Sequence, residues 1–293
     1  MSAGLLGKLR AYADLVALSH TVFALPFAAT AVVLALREPH VPLTAARLGA
    51  MLVCMVSART AAMAWNRYVD RDVDAENPRT RERPIQTGRV RPRDALALTL
   101  AASLAFVASA STLGRAPLAL SLPVLAVLLG YSLAKRFTWA AHAWLGLALA
   151  LAPGGAWIAV GAAPGAGIVA LMGAVLTWLF GFDVLYSLQD EAFDRARGLH
   201  SVPVRFGTRG ALRLSAAAHV ATVTLLVAAG ALLQRGPAYF AGAALFGAVL
   251  VVEHRLVRGG DLRRIDKAFF DCNALVSLGF FGTTLLDAWL LAR

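Results

Sequence analysis

An amide and two aspartates recur at every fourth position in the segment Asn66-x-x-x-Asp70-x-x-x-Asp74. Four residues of α-helix advance about 400° and rise about 6 Å, so a helix that continues through this segment places the three side chains on one face. Stacked oxygen donors can hold a hard divalent cation, and Mg²⁺ is typically bound by one or two carboxylates together with phosphate oxygens. The spacing therefore predicts Mg²⁺ ligands at Asn66, Asp70 and Asp74.

A second acidic array, Asp183-x-x-Tyr186-x-x-x-Asp190-x-x-x-Asp194, has spacings of three, four and four, which again predict one helical face. Either array alone can be a solvated helix end that balances nearby arginines. Two arrays that face each other across a helical bundle would hold a metal-bound diphosphate, whereas carboxylates that converge without a cation would repel each other. The pairing predicts that Asp190 and Asp194 complete a catalytic Mg²⁺ site with the first motif.

Basic side chains lie at positions suited to bind such a diphosphate. Arg79 and Arg83 follow the first motif in a loop, and Lys135 and Arg136 end a later apolar segment. Guanidinium groups can bind phosphate oxygens through two parallel hydrogen bonds. Any one of these cations can also contact a lipid headgroup, but as a set facing the aspartates they indicate an anionic substrate.

An arginine and several histidines lie within apolar segments. Arg59 stands seven residues before Asn66, and because a charge there is costly, it either pairs with a helix carboxylate or binds the carboxylate of a second substrate. His20 is a candidate substrate-binding residue, although a lone membrane histidine more often has a structural role. His142 and His219 have no partners at metal-ligand spacing, and no role is assigned to them.

The elements that position these residues are predicted to be membrane helices. The 293 residues are 59% hydrophobic and 15% charged, a composition unlike that of soluble domains. A spanning helix needs about 20 largely apolar residues. We therefore predict an all-α polytopic membrane protein, a single domain over 1–293 with nine helices around a central cavity. The predicted spans are 12–36, 46–68, 94–113, 116–134, 139–160, 166–187, 211–233, 237–256 and 268–291.

The net charge of +11 is interpreted through the positions of the basic residues relative to the membrane. With nine spans, most lysines and arginines fall on the face that carries the N-terminus and both aspartate-rich motifs, and the positive-inside rule places that face in the cytoplasm. We expect a multi-pass protein of the inner (plasma) membrane with a cytoplasmic active site. The lipid bilayer is then the partner of the chain, and no nucleic acid is expected.

The two aspartate-rich motifs resemble those of the UbiA superfamily of intramembrane aromatic prenyltransferases. The resemblance extends over nearly the whole chain and includes Arg79-Thr-x-x-Arg83-Pro84 after the first motif. The segments from His20 to Pro26 and from Gly198 to Gly207 are similar to the 4-hydroxybenzoate polyprenyltransferase subgroup, most of all to the branch serving menaquinone synthesis through futalosine. One departure is Ser132, which stands where many relatives have proline.

The resemblance implies Mg²⁺-dependent transfer of a polyprenyl group from polyprenyl diphosphate to the ring of a hydroxyaromatic acid. That acceptor would be 4-hydroxybenzoate or a dihydroxynaphthoate, in ubiquinone or menaquinone biosynthesis. In this hypothesis the allylic C–O bond ionises and the ring attacks the cation. Tyr186 then steadies the cation through its ring face or serves the metal shell, and Asp183 helps to remove the ring proton.

Other function classes remain as alternatives. Relatives of this kind also serve haem or chlorophyllide acceptors. A membrane transporter would place charges in a bundle too, but transporters of this length usually have helices broken at mid-membrane, whereas these acids cluster at one interface. The CDP-alcohol phosphotransferases also use membrane aspartates, but the Asp-Gly and Ala-Arg elements of their motif do not surround Asp70 or Asp190.

Overall fold

The computed structural model describes residues 5–16, 21–257 and 265–292, and the regular elements within these ranges are helical, as predicted. His20, a candidate substrate-binding residue, lies outside the described residues. The α-helices are α1 (Leu5–Leu15), α2 (Thr21–Ala35), α3 (Ala45–Val69), α4 (Arg71–Glu76), α5 (Pro92–Leu113), α6 (Arg115–Ala134), α7 (Ala141–Ala159), α8 (Ala166–Ser187), α9 (Glu191–Ala196), α10 (Val202–Leu232), α11 (Pro237–Leu256) and α12 (Ile265–Leu290).

Among the described residues, seven helices are long and apolar enough to cross a membrane, so the predicted count of nine is not confirmed. The bounds of α3, α5 to α8 and α11 agree with the predicted spans to within a residue or two. The first predicted span, 12–36, falls instead on α1 and α2, which have 11 and 15 residues. Each is shorter than the roughly 20 residues that a spanning helix needs.

Helix α10 begins nine residues before the predicted start at 211, at Val202. The Ser201 hydroxyl accepts a hydrogen bond from the backbone N–H of Val204 at 3.4 Å, and Pro203 occupies the first turn, where its missing N–H costs nothing. Gly207 has a φ of 67° and interrupts the helix in its second turn. Ser201 and Pro203 therefore begin a short helical segment, which the kink at Gly207 separates from the longer apolar part.

The chain divides into two compact units, each of which contains one aspartate-rich motif. The N-terminal unit comprises Met1–Thr21 and Leu43–Leu133. In it α3 packs along α5, and the Ser109 hydroxyl donates to the carbonyl of Ala50 at 2.8 Å. The indole N–H of Trp65 donates to the carbonyl of Leu129 at 3.0 Å, which ties α3 to α6. These contacts fix the helix from which the first motif extends.

The C-terminal unit comprises Val22–Pro42 and Ala134–Arg293. Helix α8 packs against both α7 and α10. Trp178 of α8 is buried with three phenylalanines from other helices of this unit, and its indole N–H donates to Asn273 Oδ1 at 2.9 Å. The three aromatic partners of this cluster are Phe27 of α2, Phe246 of α11 and Phe280 of α12. The second motif extends from the end of α8 that this core anchors.

Glycine permits the close approach of α8 to α10 in the C-terminal unit. A Cβ at Gly181 would collide with the imidazole of His219. His219 in turn lies 3.0 Å from His254 of α11, measured from Nδ1 to Nε2. The sequence assigned no role to His219, whose contact lies on a different helix.

Candidate functional site

The first motif is not one continuous helix, as predicted, because α3 ends at Val69 and α4 begins at Arg71. Asp70 joins them with φ −90° and ψ 5°, outside the helical range. Its N–H nevertheless donates to the carbonyl of Asn66 at 2.9 Å, and the N–H of Asp74 donates to the carbonyl of Asp70 at 2.7 Å. The four-residue register of the predicted ligands therefore continues through the break.

The side chains of the first motif are joined to each other and to a cation. Asn66 donates from Nδ2 to Asp70 Oδ2 at 2.7 Å, and Arg83 donates from Nη1 to Asp74 Oδ2 at 2.6 Å. Asp74 is buried and Arg83 is only partly exposed. A short contact between opposite charges in a water-poor setting is a strong hydrogen bond. The predicted phosphate-binding Arg83 is thus placed beside a predicted metal ligand.

The loop after the first motif is shaped by polar contacts that the sequence interpretation missed. The hydroxyl of Thr80, which is 2% exposed, donates to the carbonyl of Asp74 at 2.9 Å. Asn77 Oδ1 accepts from the N–H of Arg79 at 2.9 Å, an Asx-type turn that leads the chain back toward Asp74. The Asn-Pro pair at 77–78 was the available turn signal.

Two arginines of α3 have different environments. Arg67 is buried and donates from Nη1 to Asn66 Oδ1 at 3.3 Å. It lies within electrostatic range of both Asp70 and Asp74. Arg59 lies partly buried within α3, two turns before Asn66.

The second motif also departs from a single helix. Helix α8 ends at Ser187, a 3₁₀ turn covers Leu188–Asp190, and α9 continues the chain. The tighter 3₁₀ winding changes the rotation between Asp190 and the preceding residues, so the motif is not the single continuous helix that the spacing predicts. Asp190 and Asp194 are both buried, at 7% and 2% exposure.

A lysine from another helix contacts the second motif. Lys135, just beyond the end of α6, places Nζ 3.0 Å from Asp194 Oδ2. The carbonyl of Lys135 accepts the N–H of His200 at 2.7 Å, which ties this lysine to the chain that follows α9. Arg136 beside it is exposed. Lys135, a predicted site residue, thus contacts the second motif.

Asp183 and Tyr186, the first two residues of the second motif, are separated from the lysine contact. Asp183 Oδ2 lies 2.6 Å from Nδ1 of His142, a residue to which the sequence assigned no role. Tyr186 packs against an apolar cluster that includes Leu185 and Val202. The spacing of residues in the sequence does not predict the packing of α7 on α8 that brings His142 to Asp183.

The donor set fits Mg²⁺. Asn66 and the motif aspartates offer hard oxygen ligands, and Asp74, Asp190 and Asp194 are withdrawn from bulk water. Within either unit, the described His, Cys, Asp and Glu side chains include no group of three or more that could hold a metal ion by themselves. Mg²⁺ is usually held by one or two carboxylates together with phosphate oxygens and water.

Comparisons with known proteins agree on one family. The model of the UbiA prenyltransferase family matches residues 24–279. The chain is 34% identical over 234 residues to the 4-hydroxybenzoate octaprenyltransferase of Thiobacillus denitrificans, an alignment that covers 79% of this chain and 78% of that protein. The protein of the same name from Aromatoleum aromaticum is 33% identical over 225 residues, and the alignment covers 74% of each chain.

Solved structures show the same fold. The apo structure of a UbiA homolog from Aeropyrum pernix K1 has a TM-score of 0.82 and 34% identity, and the match covers 92% of this chain and 98% of that one. A UbiA homolog from Archaeoglobus fulgidus bound to GPP and Mg²⁺ has a TM-score of 0.71 and 19% identity, with coverage of 94% and 99%. The second likeness concerns the fold alone.

Proposed function

The chain belongs to the UbiA prenyltransferase family, and from this premise we propose that it transfers a polyprenyl group from polyprenyl diphosphate to the ring of 4-hydroxybenzoate. Its curated relatives from Thiobacillus denitrificans and Aromatoleum aromaticum are named for that acceptor. The Archaeoglobus fulgidus homolog was solved with an allylic diphosphate and Mg²⁺. The polyprenyl diphosphate and the aromatic acid are thus the two proposed substrates.

One observation carries the proposal: each aspartate-rich motif holds a buried aspartate against a basic side chain. The pairs are Asp74 with Arg83 and Asp194 with Lys135. Each pair places a basic side chain beside a buried carboxylate, where the cation can also bind an anion. A diphosphate that enters would take the cations as partners for its oxygens, while the carboxylates ligate the metal that accompanies it.

Asn66, Asp70, Asp74, Asp190 and Asp194 would hold Mg²⁺ in this proposal. When bound, Mg²⁺ supplies positive charge that stabilises the diphosphate as a leaving group. Arg83 and Lys135 bind diphosphate oxygens, and the exposed Arg79 and Arg136 extend the same basic surface. These side chains are held in place before reaction by their contacts with the protein, so little reorganisation is needed as charge develops.

The helices that carry the motifs protect the prenyl cation. Helices α3 and α8, from which the motifs extend, are predominantly apolar, and apolar surroundings exclude the water that would otherwise quench the cation. Tyr186 offers a ring face to the cation. Arg59, a charge within an apolar helix, binds the carboxylate of the aromatic acid and orients its ring. Asp183 accepts the ring proton.

The proposed location is the inner membrane, with the reaction at its cytoplasmic face. The long apolar helices support membrane insertion, and the excess of lysine and arginine around both motifs supports the orientation.

The test uses the full chain in lipid nanodiscs with geranyl diphosphate as donor. We expect prenylated 4-hydroxybenzoate by mass spectrometry with Mg²⁺ present, and loss of product when EDTA removes the metal. A dihydroxynaphthoate serves as the competing acceptor, and its selective prenylation would reassign the substrate to the menaquinone branch. Absence of product with both acceptors would refute the proposed function.

A further inference from the structure

A buried histidine supports the partly exposed aspartate at the start of the second motif. His142 Nδ1 and Asp183 Oδ2 are 2.6 Å apart, and they belong to α7 and α8 of the same unit. The histidine side chain is 1% exposed, whereas the aspartate side chain is 21% exposed. The imidazole is therefore buried, and the carboxylate is the more exposed member of the pair.

Close packing of α7 on α8 brings the two side chains together. A Cβ at Gly146 would lie 2.6 Å from the backbone carbonyl oxygen of Leu176, so only glycine allows this approach. His142 is one helical turn before Gly146 on the same face of α7. Asp183 lies two turns beyond Leu176 on α8. The glycine contact thus sets the distance between helices that the hydrogen bond needs.

The contact determines which ring nitrogen of His142 faces the carboxylate. An ionised carboxylate can only accept, so the Nδ1–H of His142 donates to Asp183. In the neutral ring Nε2 then carries no proton, and among the described residues this buried atom has no hydrogen-bond partner. A buried unpartnered nitrogen is a cost to the fold, which an apolar side chain of similar size would avoid. Support of Asp183 accounts for the histidine.

We propose that His142 is a positioning residue that holds the Asp183 carboxylate to receive the proton from the acceptor ring. The inference rests on the proposed function. The allylic C–O bond of the polyprenyl diphosphate breaks, and the diphosphate leaves with its electron pair. A ring carbon forms the new C–C bond to the prenyl group, and the C–H bond at that carbon then breaks. Its electron pair restores the aromatic π system, and the proton goes to Asp183. His142 occupies Oδ2, which leaves Oδ1 for the incoming proton.

The test compares four variants of the full chain in nanodiscs: His142→Ala, His142→Asn, Asp183→Asn and His219→Ala. The acceptor is 4-hydroxybenzoate with deuterium or hydrogen at the ring carbons ortho to the hydroxyl. Asp183→Asn should lower kcat by about 10²-fold, because loss of a general base typically has an effect of this size. Loss of one hydrogen bond to a charged group corresponds to about tenfold, expected for His142→Ala. Both variants should show a larger deuterium isotope effect on kcat than the native protein.

The other two variants separate positioning from packing. The side-chain amide of asparagine places an N–H close to the position of Nδ1. The kcat and the isotope effect of His142→Asn should therefore be close to those of the native protein, unlike those of His142→Ala. His219 is equally buried in the same unit but contacts His254 rather than the motif, so His219→Ala should lower thermal stability without raising the isotope effect.

Two results would overturn the inference while leaving the proposed function intact. One is native kcat and isotope effect in His142→Ala. The other is a loss of activity in His142→Ala that only follows the loss of folded protein, with no change in isotope effect. If the native protein prenylates no hydroxyaromatic acid, the proposed function itself fails.

Discussion

The two aspartate-rich motifs are built from similar side chains but are stabilised over very different distances along the chain. In the first motif, Asp74 pairs with Arg83, nine positions further on in the adjoining loop. In the second, Asp194 pairs with Lys135, which lies 59 positions away beyond α6. The first pair is a local product of one loop, whereas the second requires helices from distant parts of the sequence to pack.

The paired aspartates of the two motifs also differ in burial. The side chain of Asp194 is 3% exposed and that of Asp74 is 9% exposed. A more deeply buried carboxylate depends more on its cation, because less water remains to solvate the charge. The second motif should therefore be the more sensitive of the two to loss of its basic partner, while both remain necessary for chemistry.

The prediction with the largest expected effect concerns whether substitutions in the two motifs lower kcat to a similar extent. Asp70→Ala and Asp190→Ala should each lower kcat by at least about 10²-fold, since each removes stabilisation of the leaving diphosphate. The turnover of geranyl diphosphate by each variant in nanodiscs measures the change in kcat. Asp72→Ala is the matched control, because Asp72 lies in α4 but its side chain is 81% exposed. Near-native turnover in either motif variant would refute the metal assignment.

A smaller effect measures the difference in burial. Lys135→Met should lower the free energy of unfolding by about 2 kcal/mol, because Asp194 loses a charged hydrogen bond. Arg83→Met should lower it by less, since Asp74 is closer to solvent. Thermal unfolding in detergent gives both values, and adding Asp194→Asn to Lys135→Met should recover most of the loss. An equal or reversed order would show that sequence distance and burial do not govern these pairs.

The smallest effect concerns the loop of the first motif. Thr80→Val removes the hydroxyl bonded to the carbonyl of Asp74 and should cost about 1 kcal/mol of stability. It should also raise the KM for the diphosphate, because this contact helps to hold the loop that carries Arg83. Thr87→Val changes an exposed hydroxyl in the same loop and should stay within about 0.5 kcal/mol. Equal effects of the two substitutions would exclude a specific role for Thr80.

Local features of the site could be predicted from the sequence, because helical spacing is a local property. The register of Asn66, Asp70 and Asp74 is correct, although the helix breaks at Asp70. The break depends on the backbone of one residue, and the chain carries no proline or glycine there to announce it. Most long apolar helices were also predicted to within two residues, because apolar length alone specifies them.

Contacts between elements could not be predicted in the same way. Lys135 and Asp194 were each recognised as site residues, but their pairing depends on which helix ends meet. His142 was assigned no role because its partner lies on the next helix. Gly146, one turn after His142, was the available signal, since small residues mark close helix contact in membranes. It identifies a contact surface without naming the partner.

Helix α2 belongs to the C-terminal unit although the sequence of the N-terminal unit follows it. Phe27 packs against Phe280 of α12, near the end of the chain. At about 5–20 residues per second, the ribosome delivers Phe280 roughly 10–50 s after Phe27. During synthesis α2 therefore remains beside the insertion machinery or in lipid until its aromatic neighbours have been made. Truncation of the last helix would leave α2 without part of its packing surface.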